Sequence, residues 1–198
     1  MLLEMNMTQR IGIFGGSFDP VHIGHLLVAQ AAREELGLDR LFFVPARQSP
    51  FKPERSPTNG TERVRLLRLA LAGWTWCEID EQELRRDGLS FTIETLRDYA
   101  SRFPGAALFY LVGSDQVAFL HKWREAGELA RLAEFAVIPR PGQAEIPLPS
   151  PFTGQALRGF PFGVSSSEIR SRVKAGLPIE PLVPPTVAEA IRNYGLYL

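Results

Sequence analysis

The sequence predicts an α/β fold built on a parallel sheet. Three observations lead there. Short apolar runs alternate with longer segments of helical period, glycine or proline punctuates most of the junctions between them, and the composition is that of an average globular chain. Over 198 residues, 45% are hydrophobic and 22% charged. That is enough apolar material for one sizeable core and far from the low hydrophobicity and high net charge of a disordered chain. We expect a single domain over 1–198, with an N-terminal extension over about 1–10 and a C-terminal helical part over about 162–198.

The elements follow in order. Ile11 to Phe14, closed by Gly15-Gly16, reads as a buried strand, and Ile23 to Leu36 as a helix stopped by Gly37 at its C′ position. Leu41 to Val44 is a second strand, stopped by Pro45. Asn59 with Glu62 three residues later marks a helix start, with Val64, Leu67 and Leu71 at helical spacing and Gly73 at the end. Trp76 to Ile79 is a strand and Thr92 to Phe103 a helix. Ala107 to Val112 is the strongest strand signal in the chain and ends in Gly113. Glu125 to Leu132 follows as a helix, Phe135 to Ile138 as a strand, and Ser165 to Ala175 and Thr186 to Tyr194 as closing helices. Two proline clusters, about 45–59 and 139–161, read as loops, and their length points to function.

Lys plus Arg is 22 and Asp plus Glu is 22, so the formal net charge is zero. A nucleic-acid surface held by phosphate contacts would show a basic excess. The neutrality is global, not local. Residues 47–55 carry Arg47, Lys52 and Arg55 against Glu54, and residues 165–174 carry Arg170, Arg172 and Lys174 against Glu168. Residues 78–87 are acidic. With one cysteine, Cys77, no intramolecular disulfide can form, and no redox role is expected for it. The first residues lack the basic and apolar regions of a signal peptide, and no apolar run reaches the ~20 residues of a membrane span. A cytoplasmic protein without membrane or nucleic-acid partners is expected; a homo-oligomer stays open.

In parallel α/β sheets ligands bind beyond the carboxyl ends of the strands. The first such turn reads Gly15-Gly16-Ser17-Phe18-Asp19-Pro20-Val21-His22-Ile23-Gly24-His25. The paired glycines permit close backbone approach, and the amides of a helix start favour an anion. His22 and His25, two of three histidines in the chain, share one face of the first helical turn. Neither G-x-x-x-x-G-K-[ST] nor G-x-G-x-x-G fits this turn, and no Cys or His cluster suggests a metal site. Near the other end, Ser165 and Ser166 open a helix that carries Arg170 on the same face as Ser166, a second anion-binding arrangement.

The first turn resembles the G-G-[ST]-F-D-P-x-H-x-G-H signature of nicotinate-nucleotide adenylyltransferases. Val164 to Arg170, VSSSEIR, is similar to the I-S-S-T-x-I-R motif of that family. Arg85 to Gly88, Gly113 to Asp115, Trp123 and Pro139 to Gly142 match in order between them, so the likeness covers about 11–198. It implies a Rossmann-like, doubly wound parallel sheet with C-terminal helices. The activity it implies is adenylyl transfer from ATP to nicotinate mononucleotide, giving nicotinate adenine dinucleotide and pyrophosphate. Mg²⁺ would arrive bound to the ATP phosphates, with no dedicated metal site. Sister enzymes of the superfamily use the amide mononucleotide or phosphopantetheine, and a regulatory module would bind nucleotide without turnover.

By resemblance, Gly15, Gly16, Ser17, Phe18, His22, His25, Ser165, Ser166 and Arg170 bind ATP, and His22, His25, Lys52 and Arg170 act in catalysis. Phe51 stands before Lys52 where the family commonly has histidine. Phe91, Thr92, Asp115, Trp123 and Arg140 would take the mononucleotide. Trp123 offers a flat face for a pyridine ring, and Phe91-Thr92 begins a helix whose amides suit a carboxylate. Asp115 binds ribose hydroxyls or caps a turn, and Arg140 meets the mononucleotide or the triphosphate.

Overall fold

The computed structural model describes residues 8–48, 57–140, 142, 146–160 and 162–198. Strand β1 (Arg10–Gly16) leads into helix α1 (Ile23–Leu36), then β2 (Arg40–Pro45), α2 (Gly60–Ala70) and β3 (Cys77–Ile79). The short α3 (Gln82–Arg85) precedes α4 (Thr92–Arg102), β4 (Ala107–Gly113) and the short α5 (Ser114–Val117). A 3₁₀ turn at Leu120–Lys122 precedes α6 (Ala126–Leu132), β5 (Glu134–Ile138), β6 (Gly154–Ala156), α7 (Ser166–Lys174) and α8 (Pro185–Asn193).

The strands form one sheet in the order β3-β2-β1-β4-β5-β6, and every recorded pairing is parallel. The order runs outward in both directions from β1 and β4, so the topological switch lies between these two strands. Alternate residues of each strand feed opposite faces of the sheet. Phe43, Phe109, Leu111 and Ala136 pack with residues of α1, α2, α7 and α8 on one face. Ile11, Ile13, Phe42, Val44, Leu108, Val112 and Val137 pack with residues of α4 and α6 on the other. Helices thus cover both faces, as a doubly wound sheet requires.

The predicted boundaries of α1 coincide with the observed ones because Gly37 adopts φ 58 as its left-handed cap and its amide bonds the Arg33 carbonyl. At α2 the Asn59 side chain accepts from the Thr61 amide at 2.9 Å, which fixes the start. One expectation needs correction. Residues 139–161 are not loop throughout, because β6 adds an edge strand to β5. Gly154 sits at φ 141, and a Cβ there would stand 2.1 Å from the Phe135 carbonyl, so this short pairing needs glycine. Three residues without an apolar run carry no periodic signal.

Candidate active site

A cleft of about 990 Å³ opens beyond the carboxyl ends of β1, β4 and β5, across the switch point. Its wall brings together Gly15, Gly16, Ser17, His22, His25, Phe91, Thr92, Asp115, Trp123, Arg140, Ser165, Ser166 and Arg170, which the sequence distributes over 156 residues. Lys52 lies outside the described residues. Phe18 is not on the wall. It is 1% exposed, with its ring against Phe14, Phe43 and His25, so it supports the turn from beneath.

The turn after β1 is built around the histidine pair. His22 is the N-cap of α1 and His25 the third residue of the helix. Their rings stack at 3.7 Å between centroids. The His22 amide donates to His25 Nδ1 at 3.2 Å. An accepting Nδ1 leaves the neutral imidazole with its proton on Nε2, so His25 keeps one N–H donor. Gly24 makes the stack feasible: a Cβ there would lie 3.0 Å from His22 Nδ1 and 3.1 Å from Val164 Cγ1. Burial, helped by Arg140, lowers the pKa of His22 to about 4. Burial, then His22 and Arg140, holds His25 well below the ordinary imidazole range. Both rings are therefore neutral at pH 7.

The helix-start expectation changes in one respect. The Ile23 amide donates to the Leu182 carbonyl at 3.0 Å, and the His22 amide is taken by His25. These two amides are committed within the fold and are not open to a ligand. At α7 the Ser165 hydroxyl accepts from the Glu168 amide as N-cap, and Ser166 Oγ donates to the Pro20 carbonyl at 2.9 Å. Arg170 donates to the Asp19 carbonyl and, at 3.0 Å, to Ser167 Oγ. Ser166 and Arg170 therefore clamp the β1–α1 turn while lining the cleft.

Behind the same turn sits Arg63, 1% exposed on α2. It donates to the Ser17 carbonyl at 2.6 Å and the Thr58 carbonyl at 2.8 Å. Burial lowers its pKa, and Asp19 and Tyr197 oppose that fall. The Asp19 carboxylate accepts from the Thr58 amide at 3.3 Å and lies 3.8 Å from Arg170.

The other end of the cleft is assembled from separate elements. Phe91 caps α4 and Thr92 is its first residue. Thr92 Oγ1 lies 3.3 Å from the Tyr110 hydroxyl, and Tyr110 meets the Trp123 ring edge-on at 6.0 Å. Arg140 Nε contacts the Asp115 carboxylate at 3.1 Å. Burial opposes the Asp115 charge, but the Gln116 amide and Arg140 outweigh it and hold the carboxyl below its usual range. Tyr110, Glu83, Lys122 and Arg124 also line this end, and sequence reasoning did not single them out. For Tyr110 a signal existed: a polar-tipped aromatic near the end of the strongest strand. Glu83 is buried and accepts from Thr95 Oγ1 at 2.6 Å. Its pKa is pushed up by burial, against the pull of its Thr95 and Ser90 hydrogen bonds. Among the described residues no three His, Cys, Asp or Glu side chains converge to hold a metal. None of the described helices is long and apolar enough to cross a membrane.

The cleft thus sets a histidine pair at one helix start against a serine-capped, arginine-bearing helix, and both belong to a segment shared with a known class of nucleotidyltransferases. The family model for cytidylyltransferase-like proteins matches residues 13–172, which include both segments. A probable nicotinate-nucleotide adenylyltransferase of Opitutus terrae is 40% identical over 96% of this chain and 98% of its own. The nicotinate-nucleotide adenylyltransferase of Bacillus subtilis is 36% identical over 96% of this chain and 98% of its own. Within that class, the chain belongs to the nicotinate-nucleotide adenylyltransferase family. The structure of the Plasmodium falciparum nicotinic acid mononucleotide adenylyltransferase complexed with NaAD superposes with a TM-score of 0.78. It covers 96% of this chain and 97% of its own at 21% identity, a likeness of fold.

Proposed function

We propose that the chain transfers the adenylyl group of ATP to nicotinate mononucleotide, forming nicotinate adenine dinucleotide and releasing pyrophosphate. The observation that carries this reading is the single cleft that holds the His22/His25 pair at one end and Trp123 with Phe91-Thr92 at the other. The family membership supports the same acceptor.

In this reading a phosphate oxygen of the mononucleotide attacks the α-phosphorus of ATP, and the bond to the β-phosphate bridging oxygen breaks. Such a transfer needs alignment and charge neutralisation more than covalent help. The His25 Nε2–H donates to the α-phosphate as negative charge builds there. His22, neutral and stacked against it, fixes the ring and faces the same group. The Ser165–Arg170 segment and Lys52 receive the departing pyrophosphate. Gly15, Gly16 and Ser17 border the nucleotide, and Mg²⁺ enters as part of the ATP substrate. At the acceptor end the pyridine ring stacks on Trp123, its carboxylate meets the α4 start at Phe91 and Thr92, and Asp115 with Arg140 holds the ribose and phosphate.

The test is product identification. Purified protein with ATP, Mg²⁺ and nicotinate mononucleotide should yield one nicotinate adenine dinucleotide per pyrophosphate, faster than with nicotinamide mononucleotide. Nucleotide binding without product under either acceptor would contradict the reading and favour a regulatory module.

A further inference from the structure

We propose that Arg124 selects an acid acceptor over its uncharged amide, an inference that rests on the acceptor assignment above. Glu83 sets the charge problem at this end of the cleft. This buried carboxyl lines the acceptor end of the cleft beside Ser90, Phe91 and Thr92. A nicotinate carboxylate placed there shares a partly desolvated wall with a second carboxyl group, so its own charge stays uncompensated unless a cation faces it. An acid-selective pocket on this wall needs a cation that the neutral amide does not.

Arg124 has the position for it. It lines the cleft next in sequence to Trp123. Its guanidinium lies 4.8 Å from the centroid of the Phe91 ring, which caps α4. Of the other cations at this end, Arg140 is engaged by the Asp115 carboxylate at 3.1 Å, and Lys122 has its ammonium 5.5 Å from the centroid of Phe119, which is exposed and outside the cleft lining. The planar fork of Arg124 can bind a carboxylate with two parallel donors.

The residues around it allow that contact. Arg124 Nη1 donates to Glu94 at 3.2 Å, and its Nε lies 3.7 Å from Glu125. Glu94 has a second cationic neighbour, Arg86, at 3.9 Å. It is therefore not left alone when Arg124 turns to a ligand. The backbone is also held. Glu125 adopts φ 55, an uncommon conformation for a residue other than glycine. Arg97 on α4 fixes it there by bonding Glu125 and, at 2.9 and 2.5 Å, Glu128. One pinned segment thus carries both the stacking ring and the charge.

The experiment compares kcat/KM for nicotinate and nicotinamide mononucleotides in the full-length wild type, Arg124→Gln and Arg124→Lys, with the KM for ATP and the melting temperature recorded for each. The proposal expects the acid-over-amide ratio to fall roughly tenfold in Arg124→Gln, through a higher KM for the acid, and to be partly kept in Arg124→Lys. ATP KM and melting temperature should stay near wild type, since the side chain is half exposed. A wild type that prefers the acid, with the ratio within twofold of it in Arg124→Gln, overturns the proposal and leaves the acceptor assignment standing. A wild type no faster with the acid overturns both.

Discussion

Two arginines hold the two ends of the cleft, and they work in opposite surroundings. Arg63 supports the end proposed for ATP from a buried position, donating to the carbonyls of Ser17 and Thr58. Arg97 supports the end proposed for the acceptor from the surface, bridging α4 to Glu125 and Glu128. A carbonyl that loses a buried donor stays unpaired, whereas a surface ion pair that is cut is replaced by water. The ATP end is therefore built into the core. The end proposed for the acceptor is held by exposed ion pairs whose loss costs the fold little.

The sharpest break of this contrast is at the chemistry. His25→Ala should lower kcat by roughly 10²–10³, the cost of one charge-stabilising donor. Steady-state pyrophosphate release checks it, and a loss under threefold would remove His25 from the mechanism. Next is the support itself. Arg63→Met should lower the unfolding free energy by roughly 3 kcal/mol, since it strands two carbonyls and removes a buried charge beside Asp19. Arg97→Met should shift the urea midpoint far less. Equal shifts would erase the distinction between the two ends.

The histidines predict a pH dependence. The unfolded chain protonates His22 near pH 6.5, whereas the folded chain resists until about 4. A depressed folded pKa gives stability that is present above 6.5 and is lost as pH falls toward 4. Between pH 6.5 and about 5, His22 alone should remove about 2 kcal/mol, and His25 acts in the same direction. Urea unfolding at both pH values checks this against His22→Gln, which should show a flatter profile. The smallest expected effect is Trp123→Ala, which should raise the KM for the mononucleotide roughly tenfold, the scale of one lost stacking contact.

The same contrast governs what the sequence reveals. The ATP end is legible because Gly15 to His25 is one contiguous string at a strand-to-helix junction. His22, Gly24 and His25 need that spacing for the stacked rings to fit. At the other end Phe91-Thr92 and Trp123 are legible only through the family resemblance, to which a helix start and a flat ring add physical support. Glu83 and Arg124 are not, because their place on the wall depends on which side of a short helix or turn the packing faces inward. Arg63 reads as one more helix charge until the fold buries it. The short α3 and α5 span four residues each and β6 three. These are too few for a period of 3.6 or 2 to show. The commitment of the first α1 amides to Leu182 and His25 is likewise a tertiary fact that no local pattern encodes.

In the proposed reaction one end of the cleft serves the transfer step and the other the choice of acceptor. The most direct test measures kcat and the KM for nicotinate mononucleotide in His25→Ala and Trp123→Ala side by side, at saturating ATP. On this division kcat collapses in the first with KM within about threefold of wild type, and KM rises in the second with kcat nearly kept. Loss of the same parameter in both variants would contradict it.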